Sequence, residues 1–314
     1  TVARATGALE RLLVNGVTAV RTHVNVLGPE PVRALRAVKA AAAAFDELID
    51  VQIVALTGSP ITGPEGAENR AALAAALAEG VDLVGGCPHL DPDGPTLIDQ
   101  AITAATEAGI GIDLHVDETL DPSMLTLQDY ARLVIDRGFT GPVAASHCVS
   151  LGMQPSAVQH EVATLVAEAG IAVLPLPQTN LFLQGRDHQT ATPRGLTALA
   201  ALEAAGVLVA AGADNVQDPF NLVGRSDPLE TAALLVMAGH VLPDRAYELV
   251  SNNGRRVLGL GPVTFAPGDP ADLVAIDAPS VRGALADAPM TRRVYHRGRP
   301  VARSTRRAEI LRPD

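Results

Sequence analysis

Short runs of β-branched residues alternate with longer, alanine-rich amphipathic stretches through the first two thirds of the chain. That alternation restricts the fold more than any other feature. Two such runs in succession form parallel strands only if the stretch between them crosses over as a helix. Strands are expected near 17–24, 50–56, 81–86, 111–116, 142–146, 171–175 and 206–211. Helices fit about 3–15, 29–46, 68–79, 94–109, 124–138, 155–169 and 194–204. Several end on a glycine just before the next strand, as in NGVTAV, EAGIGIDL, EAGIAVL and AAGVLVAAG. A glycine there takes the left-handed conformation that closes a helix.

Seven strand–helix units fall one short of a closed barrel, which needs eight. The chain has 314 residues, 47% of them hydrophobic, enough for one large core. The expected fold is therefore α/β: a (β/α)8 TIM-type barrel lacking its first strand in this sequence. The opening TVARATGALERLL reads as a helix, which puts the missing strand ahead of Thr1. After residue 211 helices near 227–240, 243–250 and 254–258 follow one another. The segments VTFAPGDPADLVAIDAPS and RRVYHRGRPVA then read as short β-strands with turns. This divides the chain into a hydrolase-sized barrel, 1–259, and a small C-terminal β appendage with its tail, 260–314.

Composition removes several function classes. A net charge of −11 argues against nucleic acid or an anionic membrane as partner, and no 18-residue apolar span is visible. Aromatic content of 3% without tryptophan leaves no platform for base stacking. The two cysteines, Cys87 and Cys148, lack CxxC spacing, so neither a thiolate zinc site nor a disulfide scaffold is expected; a cytoplasmic location fits. Lys39 is the single lysine and lies mid-helix, which disfavours a carboxylated-lysine binuclear centre. Nucleotide-cofactor motifs are absent. The chain is compatible with a homo-oligomer.

Active groups in such barrels lie at the C-terminal ends of strands. There the sequence places Arg21, His23 and Asn25 in RTHVN, His89 in GGCPH, and His115, Asp117 and Glu118 in DLHVDE. It adds His147 in AASHC, and Asp214 with Asn215 in AAGADN. Polar groups from five strands thus share one rim, the pattern of a catalytic pocket. Hydrolysis of an unreactive C–N bond needs a nucleophilic water at neutral pH, and a divalent metal supplies one. Imidazole and carboxylate suit such an ion, so His115 and Asp214 are candidate ligands. Glu118 is placed to shuttle a proton, and His147 to donate a hydrogen bond to the attacking hydroxide. The competing readings are a helix cap for Asp214 and a solvated loop charge for Glu118.

The series DLHVDE, AASHC, LPQTNLFLQGRD, GADNVQDPF and PGDPADLVAID resembles the cytosine deaminase branch of the amidohydrolase superfamily, in order and spacing, across nearly the whole chain. The resemblance implies a metal-ligating His115, a proton-shuttling Glu118, His147 beside the attacking water, and Asp214 as ligand and general base. It implies a single divalent ion, zinc or iron, and a small heterocyclic substrate. Gln184, Asn215 and Phe220 correspond to substrate-facing positions, with Arg186 a weaker candidate beside its alternative as a surface ion pair with Asp187; His89 either faces the pocket or is a hydrogen-bonded rim residue.

The departures carry information too. The family's first-strand His-x-His pair is absent from this sequence. The natural protein is therefore expected to carry a further segment ahead of Thr1; a truncated barrel holding metal weakly is the other reading. Gly58, in LTGSP, stands where cytosine deaminases have a glutamine that reads the pyrimidine. A glycine makes no amide contact. The expected activity is hydrolytic deamination of an amino-substituted nitrogen heterocycle that is cytosine-like, pterin-like or triazine-like. The alternatives are cleavage of another C–N bond, in an alkylamine or cyclic amide, or an inactive barrel that only binds.

Overall fold

A computed structural model describes residues 1–311. The chain runs α1 (Val2–Val14), β1 (Ala19–Val26), α2 (Arg33–Ala43), β2 (Asp50–Thr57), α3 (Ala67–Glu79) and β3 (Leu83–Gly85). It continues through α4 (Gly94–Ala108), β4 (Gly111–Val116), α5 (Thr126–Asp136), β5 (Val143–His147), α6 (Ser156–Glu168) and β6 (Ala172–Leu174). These six strands form one parallel sheet in sequential order. Local signals set the boundaries. In α4 the Asp93 side chain accepts from Thr96 N at the start, and Gly109 closes the end at φ 67°.

The sequence expectation of a seventh strand at 206–211 is only partly met. That segment pairs with β6 through Val173 N→Leu208 O (3.0 Å) and Ala210 N→Val173 O (3.1 Å), which amounts to one isolated bridge between Val173 and Val209. Its other side has no strand beside it among the described residues, so nothing extends the ladder. β1 likewise pairs with β2 alone. Between them lies a cavity of about 710 Å³, lined by α1, β1 and residues 210–218. The fold is thus a curled, open form of the expected TIM-type barrel.

Beyond β6 come α7 (Pro177–Leu183), α8 (Leu199–Ala204), α9 (Pro228–Gly239), α10 (Pro243–Leu249) and α11 (Asn252–Val257). A three-stranded antiparallel sheet follows: β7 (Leu273–Ile276), then α12 (Val281–Asp287), β8 (Arg292–His296) and β9 (Arg299–Ser304). The helix expected at 194–204 is only the six residues of α8, and α7 and α12 lie where loops were expected. Both are two turns or fewer, too short to show a helical period. Proline opens α7, and Ser280 caps α12 by accepting from Gly283 N. No helix among the described residues is long and apolar enough to cross a membrane.

The helix-facing side of the sheet is apolar, with Ile53, Val84, Ile112, Leu114, Ala145 and Val173 buried in one core with residues of the surrounding helices. The small sheet is fastened to the barrel by a buried ion pair. Arg292 donates to both oxygens of Asp227 (2.8 and 2.7 Å) and to Asn15 O (2.8 Å). Asp227 also caps α9 by accepting from Leu229 N. Arg292→Met should leave this carboxylate buried and unpaired, at a cost of about 3–5 kcal/mol in urea unfolding. A loss below about 1 kcal/mol, the worth of an exposed pair, would contradict that role.

Candidate functional site

Four of the expected residues meet at the C-terminal rim. His115 lies in β4, one register position before Val116, which pairs with His147 at the end of β5. Their rings stand 5.0 Å apart and tilted. Glu118 Oε1 lies 3.6 Å from His147 Nδ1, and Asp214 Oδ2 lies 3.9 Å from His147 Nε2. The imidazole is thus flanked by a carboxylate on each side. His115 and Asp214 line the same cavity.

The backbone turns sharply to make this possible. Asp117, His147, Cys148 and Asp214 all have left-handed φ, between 50° and 69°. Non-glycine residues hold that conformation only where surrounding contacts over-determine it, and such positions cluster at functional sites. Asp117 shows how it is held. Its buried carboxylate accepts from Thr126 N (2.9 Å), Thr126 Oγ1 (2.6 Å) and Leu127 N (3.0 Å). It anchors the start of α5, and the turn it fixes aims Glu118 at His147.

The remaining candidates divide. The His89 ring bonds the carbonyl of His115 through Nδ1 (3.1 Å), so it braces the rim from β3's loop. Gln184 donates to Glu118 O (3.0 Å), holding the backbone that carries the acid. Asn215 lines the cavity, but its amide is engaged by Asp218 (2.6 Å) and Thr179 (3.4 Å). Phe220 is half exposed on the loop and outside the cavity lining. Arg186 stacks on Phe182, 4.2 Å from its centroid, rather than entering the site. At Gly58 a Cβ would meet Asn69 Oδ1 at 2.7 Å, so neighbouring side-chain packing also accounts for that glycine.

Several contributors lacked an assigned role in the sequence. His23 in β1 stands edge-on to His115, with centroids 4.6 Å apart. One pleat earlier on the same face, Arg21 donates to Asp113 Oδ2 (2.8 Å), and Ser146 donates to Asp113 Oδ1 (3.0 Å). The alternation in RTHV and DLHV was the available signal, because residues two apart share a face. Asn180, inside LPQTNLFLQGRD, brings its Oδ1 to 2.9 Å from His147 Nδ1.

Electrostatics separate the groups. Burial, then His23 and His147, holds His115 well below the usual imidazole range, which keeps it neutral. Burial, and more weakly Asp214, pushes Glu118 up despite the opposing His147, so it retains a proton to higher pH. Burial with Glu118 and Asp214 nearby raises the Cys87 thiol to about 12, leaving it unreactive at neutral pH. Burial would also raise Asp113, but His23 and Arg21 outweigh it and hold the carboxyl well below its ordinary range.

An acid, imidazoles and a carboxylate thus share one rim of a curled parallel sheet, the layout of a candidate active site. The amidohydrolase family model matches residues 2–302, and the chain belongs to that family; it is a hydrolase of carbon–nitrogen bonds. It is 36% identical over 303 residues to a pterin deaminase of Rhizobium rhizogenes, covering 95% of this chain and 68% of that protein. It is 30% identical to the 5-methylcytosine deaminase of Klebsiella pneumoniae liganded with phosphonocytosine, with TM-score 0.88 over 99% of this chain and 77% of that one. N-isopropylammelide isopropylaminohydrolase of Burkholderia multivorans is 28% identical, with TM-score 0.81 over 95% of this chain and 74% of that one. The deaminase branch read from the motifs is borne out.

Arg21→Met removes the nearest donor to the buried Asp113 and should cost about 3–5 kcal/mol at pH 7 in urea unfolding. A carboxylate held low contributes stability above its unfolded value near 4, and loses it as the pH falls through the folded value. The gap between native and variant should therefore narrow from pH 7 toward pH 3. A gap constant across that range would rule out the assigned charge pair.

Proposed function

We propose that the protein hydrolytically deaminates an amino-substituted nitrogen heterocycle, with a pterin-like ring as the leading substrate. The observation that carries this is His147 flanked by Glu118 and Asp214, beside neutral His115. The similarity to a pterin deaminase supports the ring class, and the absence of an amide-bearing side chain at Gly58 argues against cytosine itself. Two unpaired cysteines remain in keeping with a cytoplasmic location.

The donor chemistry suits a single divalent ion, zinc or iron. His115 Nδ1 is buried with no hydrogen-bond partner, which is costly unless something else engages it. Imidazole and carboxylate are both ligands of such ions, so His115 and Asp214 would hold it. They supply two donors. Among the described residues no group of three is gathered, against the three protein ligands usual in catalytic zinc sites. When bound, the ion makes water nucleophilic at neutral pH.

The chain's own groups account for the proton traffic. Water adds its oxygen to the amino-bearing carbon, and Asp214 takes the proton released. Glu118, whose carboxyl burial pushes up from its ordinary range, protonates the adjacent ring nitrogen. Collapse of the tetrahedral adduct breaks the C–N bond: the amine leaves as ammonia with the proton from Asp214, and the adduct's hydroxyl proton returns to Glu118 as the carbonyl forms. A second reading, favoured by the isopropylaminohydrolase likeness, keeps these roles but releases an alkylamine.

Glu118→Gln should lower ammonia release from an aminopterin by about 10²–10⁴-fold in kcat while circular dichroism stays unchanged. Undiminished turnover would remove Glu118 from the mechanism. Release of isopropylamine in place of ammonia across a substrate panel would favour the second reading.

A further inference from the structure

We infer that Asn180 is a positioning residue that sets the tautomer of His147, turning the lone pair of Nε2 toward Asp214, so that His147 accepts a hydrogen bond from the attacking water. This reverses the donor role expected for His147 from the sequence.

Both side chains are held. Asn180 is fully buried within α7, its backbone bonded to Leu176 O (3.1 Å) and Gln184 N (2.9 Å). His147 is fully buried at the end of β5, with φ 69°. Cys148 N donates to Val116 O (2.8 Å), which fixes the turn that follows it. The ring thus meets the amide from a set direction.

An amide oxygen only accepts, so the 2.9 Å contact between Asn180 Oδ1 and Nδ1 requires the proton to sit on Nδ1. Glu118 Oε1 stands 3.6 Å from the same nitrogen, beyond hydrogen-bond reach, which leaves Asn180 as its side-chain partner. A neutral imidazole carries one N–H, and the partner of one nitrogen decides the state of the other. Nε2 is then bare. It is buried, has no protein hydrogen-bond partner, and faces Asp214 Oδ2 at 3.9 Å. Two acceptors in that relation need a donor they can share, and water offers two O–H groups. Nε2 then accepts one O–H of that water and orients it, while the other O–H faces Asp214.

The opposite amide orientation makes the contrary claim. Asn180 Nδ2 has no partner either. Rotating the amide would point an N–H at Nδ1 and move the ring proton to Nε2.

The test is long-range 1H–15N correlation on uniformly 15N-labelled protein, at a pH where the ring is neutral. The His147 signals are assigned by their loss in His147→Asn. The expected pattern is a protonated Nδ1 and an unprotonated Nε2, kept in Asn180→Asp and lost in Asn180→Leu. With an aminopterin substrate, Asn180→Leu should lose about 10–100-fold in kcat with KM nearly unchanged, and Asn180→Asp should recover much of it. A proton on Nε2 in the native protein overturns the inference, and so does an unaltered tautomer in Asn180→Leu. If Asn180→Leu does not fold, the native spectrum alone decides. The inference gives His147 a task only within the deamination reading, but the spectrum needs no turnover. An expected spectrum with no ammonia released from any heterocycle would count against that reading alone.

Discussion

A fully desolvated carboxylate in the barrel interior governs much of the site. Asp113 sits in β4 without exposure, where an ionised group is tolerated only with partners. Arg21 from β1 and Ser146 from β5 satisfy it, and Arg21 also reaches Gln52 of β2 (2.9 Å) and Val257 O (2.9 Å). Four strands are thereby keyed to one charge. One pleat nearer the rim stand His23 and His115, so the relation between those rings follows from the layer beneath them. Apolar packing alone would leave the strands better able to slide. The charge makes sliding expensive.

Above that layer, geometry is imposed by hydrogen bonds on strained backbone. Asp117 turns the chain so that Glu118 faces inward, Gln184 ties the Glu118 carbonyl, and His89 ties that of His115. The two candidate groups Glu118 and His115 are thus each held by a side chain on their own backbone carbonyl. A loop fixed in this way loses little freedom when substrate binds, so binding energy is left for the transition state.

The strand–helix order was legible because its signals are local: β-branched runs, closing glycines and helix caps. The rim was legible because strand ends are where barrels keep polar groups, which brought His115, Glu118, His147 and Asp214 into view. Local signals fail where tertiary contacts decide. Residues 206–211 look like a strand, but half of a ladder forms when only one side is paired. Phe220 looked substrate-facing by position, yet its loop carries it outward. His89 and Gln184 were noticed for their side chains, and their observed partners are backbone carbonyls, which no motif reveals. Asn180 is one amide among several in LPQTNLFLQGRD. Only the folding of α7 beside β5 shows what it touches.

The central claim is that the rim adds water to a heterocyclic carbon and expels its amino group. The most direct measurement is turnover of an aminopterin in 18O-labelled water, with ammonia and product mass followed together. The account requires one ammonia per product and one labelled oxygen at the carbon that lost nitrogen. Product formation without ammonia, or without the label, would contradict it.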